Sequence, residues 1–352
     1  MRSGLWVVAA FGPVVLGKKW NNTGIGLIIF EEAVSLDYPQ FEPTIAAPIL
    51  GQTYQDLIRN LADVHNQRLR WMDDSGVDYM VLSLNSPGIQ GISEPETAEA
   101  LATRANNDIA KLIANNTMRF GAFAALSMHN ATQAGEELRR CVQTLGFHGA
   151  LLNDFESAGD DNNTLLYYDQ PEYDPFWKIA VELDVPIYLH PRPPSALQME
   201  QDFAHAKWLL GAPQQFTVQL SNHIVGLCTN GVFDRFPKLK VIVGHFGERI
   251  PSDFWRLDEM LARKVPGGMP MKKGLSSYWL TNIWETSTGN FWTELLNFHR
   301  NILGEDRILY SVDYPFVMMQ QGAEWVDSLR FSKQARLNFI RKNAIKLLKL
   351  DK

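Results

Sequence analysis

From residue 25 onward, short apolar runs alternate with amphipathic stretches. The runs are "IGLIIFEE" (25–32), "VDYMVLSL" (77–84), "RFGAFAALS" (119–127), "FHGALLND" (147–154), "VPIYLHP" (185–191), "LKVIVGH" (239–245), "NIWETS" (282–287) and "RILYSVD" (307–313). They are rich in β-branched and aromatic residues, and their near-continuous apolarity fits strands buried on both faces. Between them lie "PETAEALATRANNDIAKLIAN", "ATQAGEELRRCVQTLG", "DPFWKIAVELD" and "TELLNFHRNIL", whose apolar residues recur at three- and four-residue steps, the helical period. Gly146 and Gly304 close two of these helices.

Eight strands alternating with helices predict parallel βα units, and eight is the number that closes a (β/α)8 TIM-type barrel. An open doubly wound sheet is the competing fold. It needs a glycine-rich phosphate loop after its first strand, and "EEAVSLDYPQF" is no such loop. The barrel is therefore expected, as a single domain over residues 26–352. Residues 1–25 read as an N-terminal extension, signal-like or disordered: Arg2 precedes an apolar stretch from Gly4 to Gly17 that is too short to span a bilayer.

Composition narrows the class of partner. The 352 residues are 45% hydrophobic and carry a formal charge of −6 without long basic runs, so neither nucleic acid nor an anionic membrane is an expected partner. Two distant cysteines, Cys141 and Cys228, provide no disulfide framework and no zinc knuckle. They suit a reducing, cytoplasmic compartment; secretion is the alternative if residues 1–20 act as a signal peptide.

Candidate chemistry lies at the strand ends, where barrel enzymes assemble their sites. The predicted tips carry Glu31, Ser83 with Asn85, Ser127 with His129, Asn153 with Asp154, His190, His245, Thr286 with Ser287, and Asp313. Each buried polar tip costs desolvation unless it finds a partner, so eight together suggest one shared pocket. Glu31, His190 and Asp313 have the ligand chemistry of a divalent-cation site with open positions. Taken singly, Glu31 suits a helix N-terminus, His190 a satisfied core histidine and Asp313 a helix cap. In "GHFGE", His245 and Glu248 are spaced so that the carboxylate can set the imidazole tautomer, which suggests a general acid–base pair; a turn salt bridge involving Arg249 is the alternative. His223 either lines the pocket or is a buried bonded histidine. His65, His148, His205 and His299 receive no role.

The segments "FEEA", "GAFAALSMHN", "LDVPIYLHPRPP", "NGVFDRFPKLKVIVGHFGE", "DFWR", "NIW", "DRILYSVDYPF" and "NAIKLL" resemble the non-oxidative aromatic acid decarboxylases of the amidohydrolase superfamily, in particular fungal 2,3-dihydroxybenzoate and salicylate decarboxylases. The resemblance runs from about residue 26 to 350. It implies a barrel with one divalent ion (zinc, magnesium or manganese) on Glu31, His190 and Asp313, no organic cofactor, a small aromatic acid as substrate, and a homodimer or homotetramer. His245 and Glu248 match the family's histidine–glutamate pair. Ala33 stands where many amidohydrolases place a second strand-1 histidine, and "GALLND" lacks the lysine of two-metal hydrolases. Two departures put substrate identity in doubt: "NIWETSTGNF" has Glu285 where relatives resemble "NIWITTSG", and Asn222 replaces a leucine before His223.

The expected reaction is reversible decarboxylation of an ortho-hydroxybenzoic acid such as 2,3-dihydroxybenzoate or salicylate. Asp313 would protonate the ring carbon while His245 with Glu248 takes the phenol proton. Ser83, His223 and Arg256 are candidate substrate contacts, and Trp208, Phe291 and Phe316 candidate walls for the ring. A mononuclear hydrolase or lactonase acting on an aromatic-derived acid is the alternative.

Overall fold

The computed structural model describes residues 19–38 and 52–351. The apolar stretch Gly4–Gly17 lies outside them, so the signal-like reading falls on undescribed residues. Among the described residues, no helix is long and apolar enough to cross a membrane.

The strands are β1 (Leu27–Val34), β2 (Val77–Leu84), β3 (Phe120–Ala122), β4 (Ala150–Asn153), β5 (Glu156–Ala158), β6 (Thr164–Leu166), β7 (Pro186–His190), β8 (Lys240–Val243), β9 (Ile283–Thr286) and β10 (Ile308–Leu309). β1-β2-β3 and β4-β7-β8-β9-β10 are parallel ladders, and β5-β6 is a separate antiparallel hairpin. Two seams join the ladders into the expected (β/α)8 barrel. At the first, Ala124 N–H donates to Gly149 O at 2.9 Å and Leu151 N–H to Ala124 O at 3.2 Å. At the second, β10 meets β1 mainly through side chains. The hairpin lies in "ESAGDDNNTLL", whose polar composition hides a strand pattern.

Side-chain alternation divides the strands between two apolar layers. Ile28, Phe30, Tyr79, Val81, Phe123, Leu151, Tyr188, Ile242 and Leu309 fill the barrel, closed below by Trp20, Ala344, Leu347, Leu348 and Leu350. Leu27, Ile29, Val34, Met80, Leu82, Ile187, Leu189, Val241, Val243 and Ile283 face the helices. Residues 19–25, placed in the extension by sequence, are tied to this lower face. Trp20 Nε1–H donates to Asp351 Oδ1 at 3.1 Å, and Thr23 holds Asp78 through its backbone N–H at 3.0 Å and its hydroxyl at 2.8 Å.

One irregularity decides where the first carboxylates point. The β1–β2 register pairs Ile29 with Met80 but Glu32 with Leu82, so β1 carries one extra residue. Such a bulge reverses the inward–outward alternation. Phe30 is inside before it and Val34 outside after it. Glu31 is thereby turned into the barrel mouth and Glu32 toward the β10 seam.

There the Glu32 carboxylate accepts from the Ser311 hydroxyl at 2.7 Å, Val312 N–H at 3.1 Å and Tyr314 N–H at 2.8 Å. The Ser311 oxygen in turn accepts Phe30 N–H and Glu31 N–H, each at 2.9 Å, and Ala33 N–H donates to Tyr314 O at 2.8 Å. Glu32→Ala leaves these buried donors without an acceptor and should destabilise the protein by about 3 kcal/mol, measured by denaturant unfolding. Stability within about 0.5 kcal/mol of the parent would show that the seam holds without it.

Candidate active site

Three ladders deliver the proposed ligand set to the mouth. Glu31 enters from the β1 bulge. On β7, Ile187 and Leu189 face out and Tyr188 in, so His190 follows Tyr188 inward. Asp313 leaves the β10 segment at φ 79°, a left-handed conformation uncommon for a residue with a side chain. Its carbonyl is tied back by Phe316 N–H at 2.8 Å and Val317 N–H at 2.9 Å. Glu31, His190 and Asp313 each offer a ligand atom within 4.8 Å of the others.

The surrounding bonds leave ligand atoms available. His190 Nδ1–H donates to Asn153 Oδ1 at 3.2 Å, so Nε2 faces Glu31 Oε1 at 3.5 Å. Asn153 is held by Pro87 O at 3.0 Å and Gln90 Oε1 at 3.1 Å, which fixes its amide orientation. Glu31 Oε2 accepts the Thr286 hydroxyl at 3.3 Å, but its buried Oε1 has no hydrogen-bond partner. An orphaned buried carboxylate oxygen beside an imidazole nitrogen and a second carboxylate fits a divalent cation. Gly244 makes room for this carboxylate: a Cβ there would sit 2.8 Å from Glu31 Oε2.

His245 adjoins the cluster, its Nε2 3.7 Å from Glu31 Oε1. Its Nδ1–H donates to Glu248 Oε1 at 2.7 Å, and Glu248 Oε2 accepts the Thr217 hydroxyl at 2.8 Å. The spacing predicted the histidine–glutamate bond; Thr217, on the helix Gln215–Thr229, was not foreseen. Residues 245–249 all have positive φ, so the catalytic-looking "GHFGE" segment is a left-handed turn.

The electrostatics follow from carboxylates crowded away from water. Burial raises Glu31 to about 7, against the pull of His245. Burial and then the charge of Glu31 hold Asp313 well above the usual carboxylate range. For His245 burial works downward, but the carboxylates of Glu248 and Glu31 prevail and lift it to about 10. Burial, followed by the charge of His245, lowers His190 to about 3 and keeps it neutral, the form in which an imidazole can bind a metal.

The amidohydrolase family model matches residues 61–350. The γ-resorcylate decarboxylase of Rhodococcus jostii (strain RHA1) is 39% identical over 333 residues, 93% of this chain and 99% of that protein. The crystal structure of 2,6-dihydroxybenzoate decarboxylase from Rhizobium superimposes with a TM-score of 0.87 at 38% identity, covering 93% of this chain and all of that one. A dihydroxybenzoic acid decarboxylase from Polaromonas sp. JS666, with bound manganese and the inhibitor 2-nitroresorcinol, gives 0.88 at 36% identity over 93% and 98% of the two chains. This chain belongs to the decarboxylases of the amidohydrolase superfamily. In this member of the decarboxylase family, Ala33 lies past the bulge and its carbonyl accepts from Arg68 at 2.7 Å, while Asn153, at the β4 tip, supports His190.

The outer candidates are distributed unevenly. Ser83 is buried on the inward face of β2 and its hydroxyl has no partner. Phe316 is half-buried three residues after Asp313, and half-buried Phe291 stacks on Trp325 at 5.2 Å. His223 requires correction. Its Nδ1–H donates to Asp154 Oδ1 at 3.0 Å, its Nε2 accepts Tyr168 N–H at 3.0 Å and its side chain is fully buried, so neither nitrogen is free for substrate. Trp208 is also displaced from its expected role: it is 82% exposed beneath Lys207 and walls no cavity among the described residues. Arg256 is exposed on the helix Phe254–Ala262. Neither family departure faces the pocket, since Asn222 is exposed and Glu285 lies behind β9 among Trp279 and His299.

These charges set a pH trend for the metal-free protein. Between pH 6.5 and 8, folded Glu31 and His245 hold protons that their unfolded counterparts release, so stability falls as pH rises. The opposing contribution of His190 is nearly spent above its unfolded value of 6.5. Chelated protein should therefore melt at a lower temperature at pH 8 than at pH 6.5; buried Glu156, raised to about 8, adds to the trend, and added divalent metal should weaken it by favouring the deprotonated ligands. Calorimetry with and without chelator checks this; an unchanged trend after metal addition would place the ion elsewhere.

Proposed function

We propose that this chain is a divalent-metal-dependent carboxy-lyase that converts an ortho-hydroxybenzoic acid to the corresponding phenol and carbon dioxide without oxidation, with residues 26–352 acting as a single domain. The observation carrying this reading is the convergence of Glu31, His190 and Asp313 within 4.8 Å, beside the bonded His245–Glu248 pair. A single divalent ion would be held by those three residues and would supply positive charge that favours the phenolate and offsets the substrate carboxylate. The manganese and 2-nitroresorcinol bound by the Polaromonas relative support both halves of this assignment.

The protein's own groups account for the proton transfers. Direct loss of carbon dioxide would leave an aryl carbanion, so the ring carbon must first be protonated. Asp313 suits that task because it offers one oxygen to the cluster and leaves the other for proton transfer, and in the metal-free protein burial and the charge of Glu31 favour its protonated form. The proton passes from the Asp313 carboxyl to the carbon bearing the carboxylate. The C–C bond then breaks, carbon dioxide leaves, and its bonding pair restores the aromatic ring. Glu248 holds the Nδ1–H of His245, which leaves Nε2 to exchange the phenolic proton.

Ser83, with its inward unpaired hydroxyl, is the proposed polar contact to substrate; Phe316 and Phe291 are the proposed ring contacts. Exposed Trp208, Trp255 and Trp292, at 82%, 77% and 58%, support assembly of copies into a homodimer or homotetramer.

Metal-loaded protein incubated with salicylate, 2,3-dihydroxybenzoate, 2,6-dihydroxybenzoate and orsellinate should release carbon dioxide from at least one. Ring opening without gas would identify a hydrolase instead. Asp313→Asn should lower turnover by about 10³-fold or more while the circular dichroism spectrum stays native; near-native turnover would remove Asp313 as the acid. Because no oxidation drives the reaction, concentrated bicarbonate with the phenol product should yield the carboxylated acid, detected by chromatography. Failure to carboxylate under conditions that support the forward reaction would contradict a readily reversible, non-oxidative route.

A further inference from the structure

Strand β9 carries a carboxylate on the face that its neighbours use for apolar packing. Ile283 faces the helices, and Glu285, two residues on, points the same way with no exposed surface. Its Oε1 accepts the indole N–H of Trp279 at 2.6 Å, and its Oε2 accepts Nδ1–H of His299 at 2.5 Å. A carboxylate withdrawn from water requires partners of this kind. They explain how Glu285 is tolerated, but not what its placement accomplishes.

The "GHFGE" turn rests against this pair. A Cβ on Gly247 would collide with Glu285 Oε1, so the turn's backbone lies directly over the carboxylate. The Phe246 ring packs 5.1 Å from the His299 ring. His245, Phe246, Gly247, Glu248 and Arg249 have φ of 53°, 55°, 68°, 51° and 64°. Four of them have side chains that disfavour this left-handed backbone. Such a run persists only where its surroundings over-determine it. Thr217 holds it at Glu248, while Glu285 and His299 support its middle.

We infer that Glu285 and His299 are positioning residues: a buried, hydrogen-bonded brace that holds the left-handed turn and thereby sets the His245 imidazole against the substrate's phenol oxygen. The inference rests on the proposed decarboxylation only for its kinetic readout. Glu285 does not select substrate through contact, since it faces away from the barrel mouth.

The test uses full-length, metal-loaded protein, with 2,6-dihydroxybenzoate as the probe substrate. Glu285→Leu removes both acceptors. Glu285→Leu/His299→Leu removes both members of the hydrogen-bonded pair together and guards against a single variant that does not fold. Glu285→Gln retains an acceptor for Trp279 and an amide for His299. The two leucine variants should lose about tenfold or more in kcat, with KM within about twofold and metal content unchanged. They should also lose the low-field Nδ1 proton signal of His245 in ¹H–¹⁵N spectra, assigned by its absence in His245→Gln. Glu285→Gln should retain the signal and stay within about threefold of native kcat. A folded leucine variant with native kcat and an intact His245 signal would overturn the brace, as would a loss of metal that parallels the loss of rate. If the native protein releases no carbon dioxide, the proposed function fails, but the His245 signal still tests the brace.

Discussion

The closure of the barrel between its first and last strands is the constraint on which the site depends. Only Ile308 and Leu309 form regular β10 ladder structure, so the backbone supplies little of that seam. The Ser311 hydroxyl accepts two N–H groups from β1, while Glu32 accepts the hydroxyl and two N–H groups beyond β10. Glu31 and Asp313 are the neighbours of these bonded residues. The same hydrogen bonds therefore close the fold and set the separation of the two carboxylates.

That arrangement concentrates negative charge in a low-dielectric mouth. Glu31, Glu32, Glu248 and Asp313 act on one another there. Glu32 is satisfied by three donors; Glu31 keeps an oxygen unpaired, and Asp313 is pushed toward its protonated form. This imbalance separates a carboxylate that closes the barrel from those proposed to bind the ion and transfer the proton. Backbone strain follows the same division, with positive φ at Asp313 and throughout His245–Arg249. Packing from behind β9 and bonds from the neighbouring helix hold the strained turn in place.

The barrel and most of the candidate site were legible because both depend on periodic or local signals. All eight barrel strands lie on the expected apolar runs, although the β3 and β10 ladders are shorter than those runs. The (i, i+3) relation of His245 and Glu248 was readable from spacing, and their places at the strand tips grouped Glu31, His190 and Asp313, a set that the resemblance then matched. His223 was ambiguous because its partners, Asp154 and Tyr168, are 69 and 55 residues away. His299 received no role because Glu285 becomes its partner only when the helix after β9 folds back against that strand.

The amino-acid order alone determined the alternation of strands and helices, the polar character of each strand tip and the reactive groups available there. These follow from side-chain chemistry and from periods of two and 3.6 residues. Only the tertiary structure decided which polar groups face the mouth. The extra residue in β1 sends Glu31 inward and Glu32 to the seam, a distinction invisible in two adjacent glutamates. It also made Glu285 a brace behind the wall, because a buried charge takes its meaning from partners that the chain delivers only on folding.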